Sequence, residues 1–138
     1  SIPDMAYRMA ETLRHILLVG VGGFLGAVSR FLVTTWIHSR TDAFPFGTLV
    51  VNVIGCLALG FLATFVAEQL FESNVLRLVM MVGFLGAFTT FSAFSYESAL
   101  LWTNGQWLAL FSNVALNVGS CFVATGAGIA AAQIFRST

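Results

Sequence analysis

The stretch GFLGAFTTFSAFSY, residues 83–96, decides how the rest of the chain is read. It lies inside an apolar run, where a membrane-spanning helix should be at its most regular. Instead it holds two glycines, four phenylalanines and four hydroxyl side chains before Tyr96. Gly83 and Gly86 each weaken a helix by roughly 1 kcal/mol relative to alanine. Thr89, Thr90, Ser92 and Ser95 bring hydroxyls that compete with backbone bonding or serve a ligand. In a bilayer, non-helical backbone survives only where protein buries it or a wet cavity receives it. The stretch therefore reads as a broken helix at membrane depth, a feature of ion and substrate sites.

Composition sets the surroundings. The chain has 138 residues, 58% hydrophobic and 9% charged, with zero formal net charge. One spanning helix takes about 20 apolar residues, so the length is consumed by spans. It reads as an all-α membrane protein with no catalytic ectodomain, nucleotide fold or extended basic tract for nucleic acid. No nucleophile–base pair or metal-hydrolase spacing marks an enzyme. Cys56 and Cys121 fall in apolar stretches and read as free buried thiols.

Working outward, four spans emerge. Residues 1–15 form a polar, irregular lead, either a foreign remnant or a short interfacial segment; a cleaved signal peptide fits poorly. Residues 16–138 form one transmembrane domain. The first span, 16–37, carries Gly22 and Gly26 on one face for close helix packing. Its Arg30 either snorkels to the interface or pairs inside the protein. A short loop with Arg40 and Asp42 leads to the second span, 46–67, which is uncharged. Asn52 lies there, with Thr48 one turn earlier on the same face. It is either helix–helix glue or a pore-facing donor. Glu68, Glu72 and Arg77 make the next turn polar. The third span, 78–102, passes through the stretch above, and Glu97 follows the break. Residues 103–106, between Trp102 and Trp107, separate it from the fourth span, 107–135. Asn113, Asn117, Cys121 and Thr125 recur every four residues there and make a polar stripe. A stripe suggests a wet path, with polar helix packing as the other reading.

Arginines barely distinguish the two sides. Arg8, Arg14, Arg77 and Arg136 share one side; Arg40, with Arg30 if it snorkels, holds the other. Orientation follows this bias, and here it is weak. Such a chain can insert both ways, and two opposed copies would close as a symmetric dimer. The sign of the transported ion follows from what the spans lack. Cation paths show a carboxylate in the membrane, and only Glu97 qualifies. The other candidates are the Asn52 amide, Thr and Ser hydroxyls, and the positive edges of phenyl rings. Phe91 and Phe94, three residues apart, can project from one side of the helix. Such a lining suits a small, hard anion. The break also frees carbonyls at Gly86 and Thr89, which could converge on a cation near a two-fold axis.

Three motifs, GGFLGAVSR at 22–30, GTLVVN at 47–52 and GFLGAFTTFSAFS at 83–95, resemble the Fluc (CrcB) family of fluoride ion channels, in that family's order and spacing. The resemblance implies an antiparallel, dual-topology homodimer in the bacterial cytoplasmic membrane, with two fluoride pores. It also implies a structural sodium ion at the dimer axis, held by the backbone carbonyls of Gly86 and Thr89. By motif, Asn52 resembles the pore asparagine, and Phe91 and Phe94 the ring-edge pore phenylalanines. Ser92 and Thr125 resemble parts of a hydroxyl track. Arg30 resembles the first-helix arginine near the vestibule. The family core usually reads TTFSTF, whereas position 93 here is alanine, so any hydroxyl at that point of the track is missing. The expected partners are fluoride, a second copy of the chain and lipid.

Two other classes compete with this reading. A small multidrug-type proton-coupled exporter also has four short helices, but it needs a deep carboxylate in its first helix. This span has no Asp or Glu between positions 15 and 39. A non-transporting assembly subunit explains the packing glycines and leaves the polar stripe without purpose.

Overall fold

The structure is a computed structural model that describes residues 2–40, 44–69 and 74–137. Asp42 and Glu72 lie outside the described residues, and the side chain of Glu68 does too. The described chain is helical: α1 (Ile2–His38), α2 (Phe46–Gln69), the short α3 (Asn74–Leu76), a π-helical segment (Arg77–Leu85), α4 (Gly86–Phe88), α5 (Phe91–Thr103) and α6 (Trp107–Ser137). Four stretches are long and apolar enough to cross a bilayer: Asp4–His38, Phe46–Phe65, Arg77–Thr103 and Trp107–Ser137.

The first expectation to be corrected is the irregular lead. It is helical and continuous with the first span. Asp4 pairs with Arg8 at 3.6 Å, and Glu11 with Arg14 at 3.4 Å and His15 at 3.3 Å. These three- and four-residue spacings support an exposed helix, and Ala, Met, Leu, Glu and Arg are good helix formers. At 1.5 Å per residue the 37-residue α1 is about 55 Å long. That exceeds the roughly 30 Å hydrocarbon core.

The distribution of side chains is inverted relative to a water-soluble domain. The largest fully buried side chains are Val51, Asn113 and Thr48, two of them polar. Phe24, Phe31, Leu108, Phe122 and Phe135 are exposed. An apolar exterior around a polar interior fits a lipid environment, where polar groups must be satisfied inside.

Two seams hold the bundle. In the first, α1 packs on the π segment and α4. A Cβ on Gly22 would strike Val79 O, and one on Gly26 would strike Phe84 O. On the facing side a Cβ on Gly83 would lie 2.7 Å from Val19 O and 3.0 Å from Gly22 Cα. Small residues here let the two backbones touch. In the second seam α2 packs on α6. A Cβ on Gly60 would strike Thr125 O, and one on Gly128 would strike Leu57 O. Asn52 meets Asn117, 65 positions on, and Gly60 meets Thr125 at the same separation, so the two helices run parallel.

The turn at residues 104–106 closes as the sequence reading places it. The amides of Asn104 and Gln106 donate to Leu100 O and Leu101 O, and Gly105 has φ 69°. Glycine accepts that left-handed backbone without the Cβ penalty.

Candidate functional site

The third span departs from α-helical winding at two points. Over Arg77–Leu85 it is π-helical, and the Gly86 amide reaches Met81 O, five residues back. Such winding clusters at functional positions. At Thr89 (φ −84°, ψ 155°) and Thr90 (φ −151°, ψ 117°) the backbone is extended, and the helix resumes at Phe91. The two glycines do not make this feature. Gly86 has helical dihedrals, φ −61° and ψ −35°, and Gly83 lies within the π segment. The threonine pair carries the extended backbone, and side chains from other helices hold it there.

Asn52 does most of that holding. Its Oδ1 accepts the Thr90 amide at 2.8 Å, and its Nδ2 donates to Thr90 O at 3.1 Å. Both polar groups of an extended residue are thereby satisfied by one buried carboxamide. The second Nδ2 hydrogen goes to Asn117 Oδ1 at 3.2 Å. Asn117 Nδ2 in turn donates to Asn113 Oδ1 at 2.9 Å, and Asn113 Nδ2 to Ser98 Oγ at 3.0 Å. The Thr90 hydroxyl caps α5 by accepting the Ala93 amide at 3.2 Å. Gly55 leaves room for the Thr89 methyl group, because a Cβ there would strike Thr89 Cγ2.

These bonds strip two carbonyls of their usual donors. The amide four residues after Gly86 is that of Thr90, which goes to Asn52. The amide four residues after Thr89 is that of Ala93, which goes to the Thr90 hydroxyl. Gly86 is exposed, and a Cβ on it would meet only Met81 O at 3.8 Å. The carbonyls of Gly86 and Thr89 are thus among those that lose an i+4 donor at the threonine pair.

A groove of about 370 Å³ opens beside Thr89 and Thr90. Of the pore residues singled out by motif, Asn52, Phe91, Phe94 and Thr125 line it, as does Thr89. The rings of Phe91 and Phe94 meet edge to face, 5.4 Å apart at 61°. Phe94 is buried, whereas Phe91 is 77% exposed. The fourth-helix stripe divides: Asn117, Cys121 and Thr125 line the groove, while Asn113 is fully buried glue. Ser92 is not in the groove wall; it is exposed and shares a 3.2 Å hydrogen bond with the Thr90 hydroxyl.

A second cavity, about 250 Å³, lies on the other side of Thr90. Arg30 lines it with Thr34, His38, Thr48, Ala93 and Glu97. Arg30 thus borders a cavity shared by the first, second and third spans. A hydroxyl at position 93 would face this cavity. Thr48 donates to Glu97 Oε1 at 2.6 Å across 49 residues, a contact no local pattern signals. The i to i+4 relation of Thr48 and Asn52 was the available clue: the face they share points at the third span.

Four apolar spans around buried amides define a multi-pass integral membrane protein. The family of CrcB-like proteins (Camphor Resistance, CrcB) matches residues 17–129, and the chain belongs to it. It is 44% identical over 119 residues to a fluoride-specific ion channel FluC of Rhizobium meliloti (strain 1021), covering 86% of this chain and 95% of the relative. It is 45% identical over 125 residues to a protein of the same name from Elusimicrobium minutum (strain Pei191), covering 88% and 96%. A third, from Hahella chejuensis (strain KCTC 2396), is 43% identical over 121 residues, covering 87% and 95%.

Proposed function

We propose that this protein is a passive fluoride channel of the bacterial cytoplasmic membrane, which lets fluoride leave the cell. The observation that carries the reading is the groove that Phe91 and Phe94 line beside Asn52 and Thr125, the two rings packed edge to face. The names of its relatives point the same way.

Fluoride is small and strongly hydrated, so a path for it must replace water without trapping the ion. Ring edges carry partial positive charge, and they hold an anion more weakly than an arginine would. Weak sites of this kind allow both entry and exit. Phe91 and Phe94 are the direct contacts. A fluoride that takes a hydrogen from Asn52 replaces the Asn117 bond, the longer of its two donated bonds. Thr125 continues the path along α6. Ser92 acts through the Thr90 hydroxyl, and Arg30 draws anions into the second cavity.

The third span is broken at membrane depth in this reading, and two copies pair in opposite orientations to complete the pores. The unpartnered face around Gly86 and the nearly balanced arginines support that assembly. The released carbonyls of Gly86 and Thr89 fit a structural sodium ion at the pair's axis, since a hard cation takes oxygen ligands and helix breaks supply them. Such an ion would neutralise carbonyl dipoles where the two copies meet.

The exporter reading finds no support. The acidic residues described in α1 are Asp4 and Glu11, before the apolar part of the span, and the relatives are named as channels. The test is fluoride efflux from liposomes holding the purified protein, beside chloride. Fast fluoride loss with little chloride loss is expected. No fluoride loss from folded protein in sodium buffer would overturn the proposal.

A further inference from the structure

The α2–α6 seam holds a pair of side chains that the channel reading leaves unused. Cys56 and Cys121 share the 65-residue separation that joins Asn52 to Asn117 one turn before them and Gly60 to Thr125 one turn after them. On the first of those turns the amides hydrogen-bond at 3.2 Å. On the second the backbones nearly touch, with a Gly60 Cβ only 3.2 Å from Thr125 Cα. Contacts on both sides therefore fix the two thiols opposite each other. Both are half-buried and free, and both line the groove.

We propose that Cys56 and Cys121 form a two-thiolate binding site for a soft, thiophilic cation of the Hg²⁺ or Ag⁺ class, set in the groove wall. The chemistry of the donors selects the ligand. Thiolates prefer soft metals, and hard cations prefer oxygen. Among the described residues no group of three His, Cys, Asp or Glu side chains could hold a metal. The site therefore offers two sulfurs and no third strong ligand, which suits a cation content with two. Binding replaces two S–H bonds with two S–metal bonds and releases two protons; no electron is transferred. A coordinating thiol is deprotonated outright by the metal. The bridged cation would stand between Asn52 and Thr125, in the path that the channel reading assigns to fluoride, and that second part rests on the reading.

The probe is Hg²⁺ on the purified full chain. Intact mass is expected to show one mercury per chain with two protons lost, and thiol titration no remaining free thiol. Because the two sulfurs act as one chelate, the wild-type adduct should withstand about 100-fold more competing free cysteine than the adduct of Cys56→Ser or Cys121→Ser. Two mercury ions per chain, or equal retention by wild type and both variants, would overturn the site. Mercury should also stop fluoride efflux from wild-type liposomes, and unchanged efflux with the chelate formed would overturn the placement in the path. A failure of the channel reading itself shows differently, as no efflux before mercury is added, and leaves the mass result to decide the site.

Discussion

Gly83 and Gly86 stand three residues apart on one span and answer to different neighbours. Gly83 is buried, with α1 backbone within 3.0 Å of where its Cβ would lie. Gly86 is exposed and has open space on its own chain. Sequence composition treats them alike, as two glycines that weaken a helix. The structure assigns one to packing within the chain and leaves the other facing outward, beside two carbonyls that have lost their donors. The inner face of this span is a matter of fold; the outer face is where the proposed pairing and sodium site would lie.

The comparison can be broken most directly at the inner face. Gly83→Leu forces side-chain atoms into α1 backbone that has no rotamer to yield. A cost of about 3 kcal/mol or more is expected, seen as loss of monodisperse protein after detergent extraction. Normal yield and thermal stability would show that the seam is not close-packed.

Asn52→Ala comes next. It strands the Thr90 amide and carbonyl inside the bundle, at roughly 1–3 kcal/mol for each unsatisfied group. Unfolding in denaturant should shift accordingly, and by more than for Asn117→Ala, which removes bonds to Asn52 and Asn113 but strands no backbone group of the extended pair. Equal shifts would mean that Asn52 is not what holds the extended pair.

The groove sharpens the contrast further, because one of its rings is buried and the other exposed. Phe91→Ile and Phe94→Ile should each lower fluoride efflux at least about tenfold, or about 1.4 kcal/mol. Only Phe94→Ile should also lower thermal stability. Wild-type efflux in both variants would remove the ring-edge argument.

The smallest effect on the fold is expected at the outer face. Gly86→Leu should leave helical content and stability within about 1 kcal/mol of wild type, because its side chain enters open space. It should abolish the pairing of two chains and any dependence of that pairing on sodium, read by cross-linking in sodium and in a sodium-free buffer. An intact, sodium-dependent pair in this variant would refute the axial site.

Much of this was legible in the residues. The second, third and fourth spans begin and end within about two residues of the hydropathy reading, because burial in lipid is a local, additive property of a segment. The turn at 104–106 was legible because Asn, Gly and the flanking tryptophans carry local rules. Gly22 and Gly26 were legible as packing residues because i and i+4 share a face. The helical lead was missed because polarity was weighed above propensity and charge spacing. The π winding gave no sign, since it redistributes hydrogen bonds without a distinctive residue pattern. Asn113 and Asn117 looked alike in the stripe, yet one is glue and the other lines the groove.

By itself the sequence determined that the chain lives in a membrane, crosses it four times and carries the motifs of one family. Each of those depends on a segment and its immediate neighbours. Only the tertiary structure decided which polar groups meet: Asn52 with Thr90 and Asn117, and Thr48 with Glu97. Those pairings depend on the register and rotation of one helix against another. A slip of one residue turns a helix by about 100° and would exchange every partner, while the hydropathy of each span stayed the same.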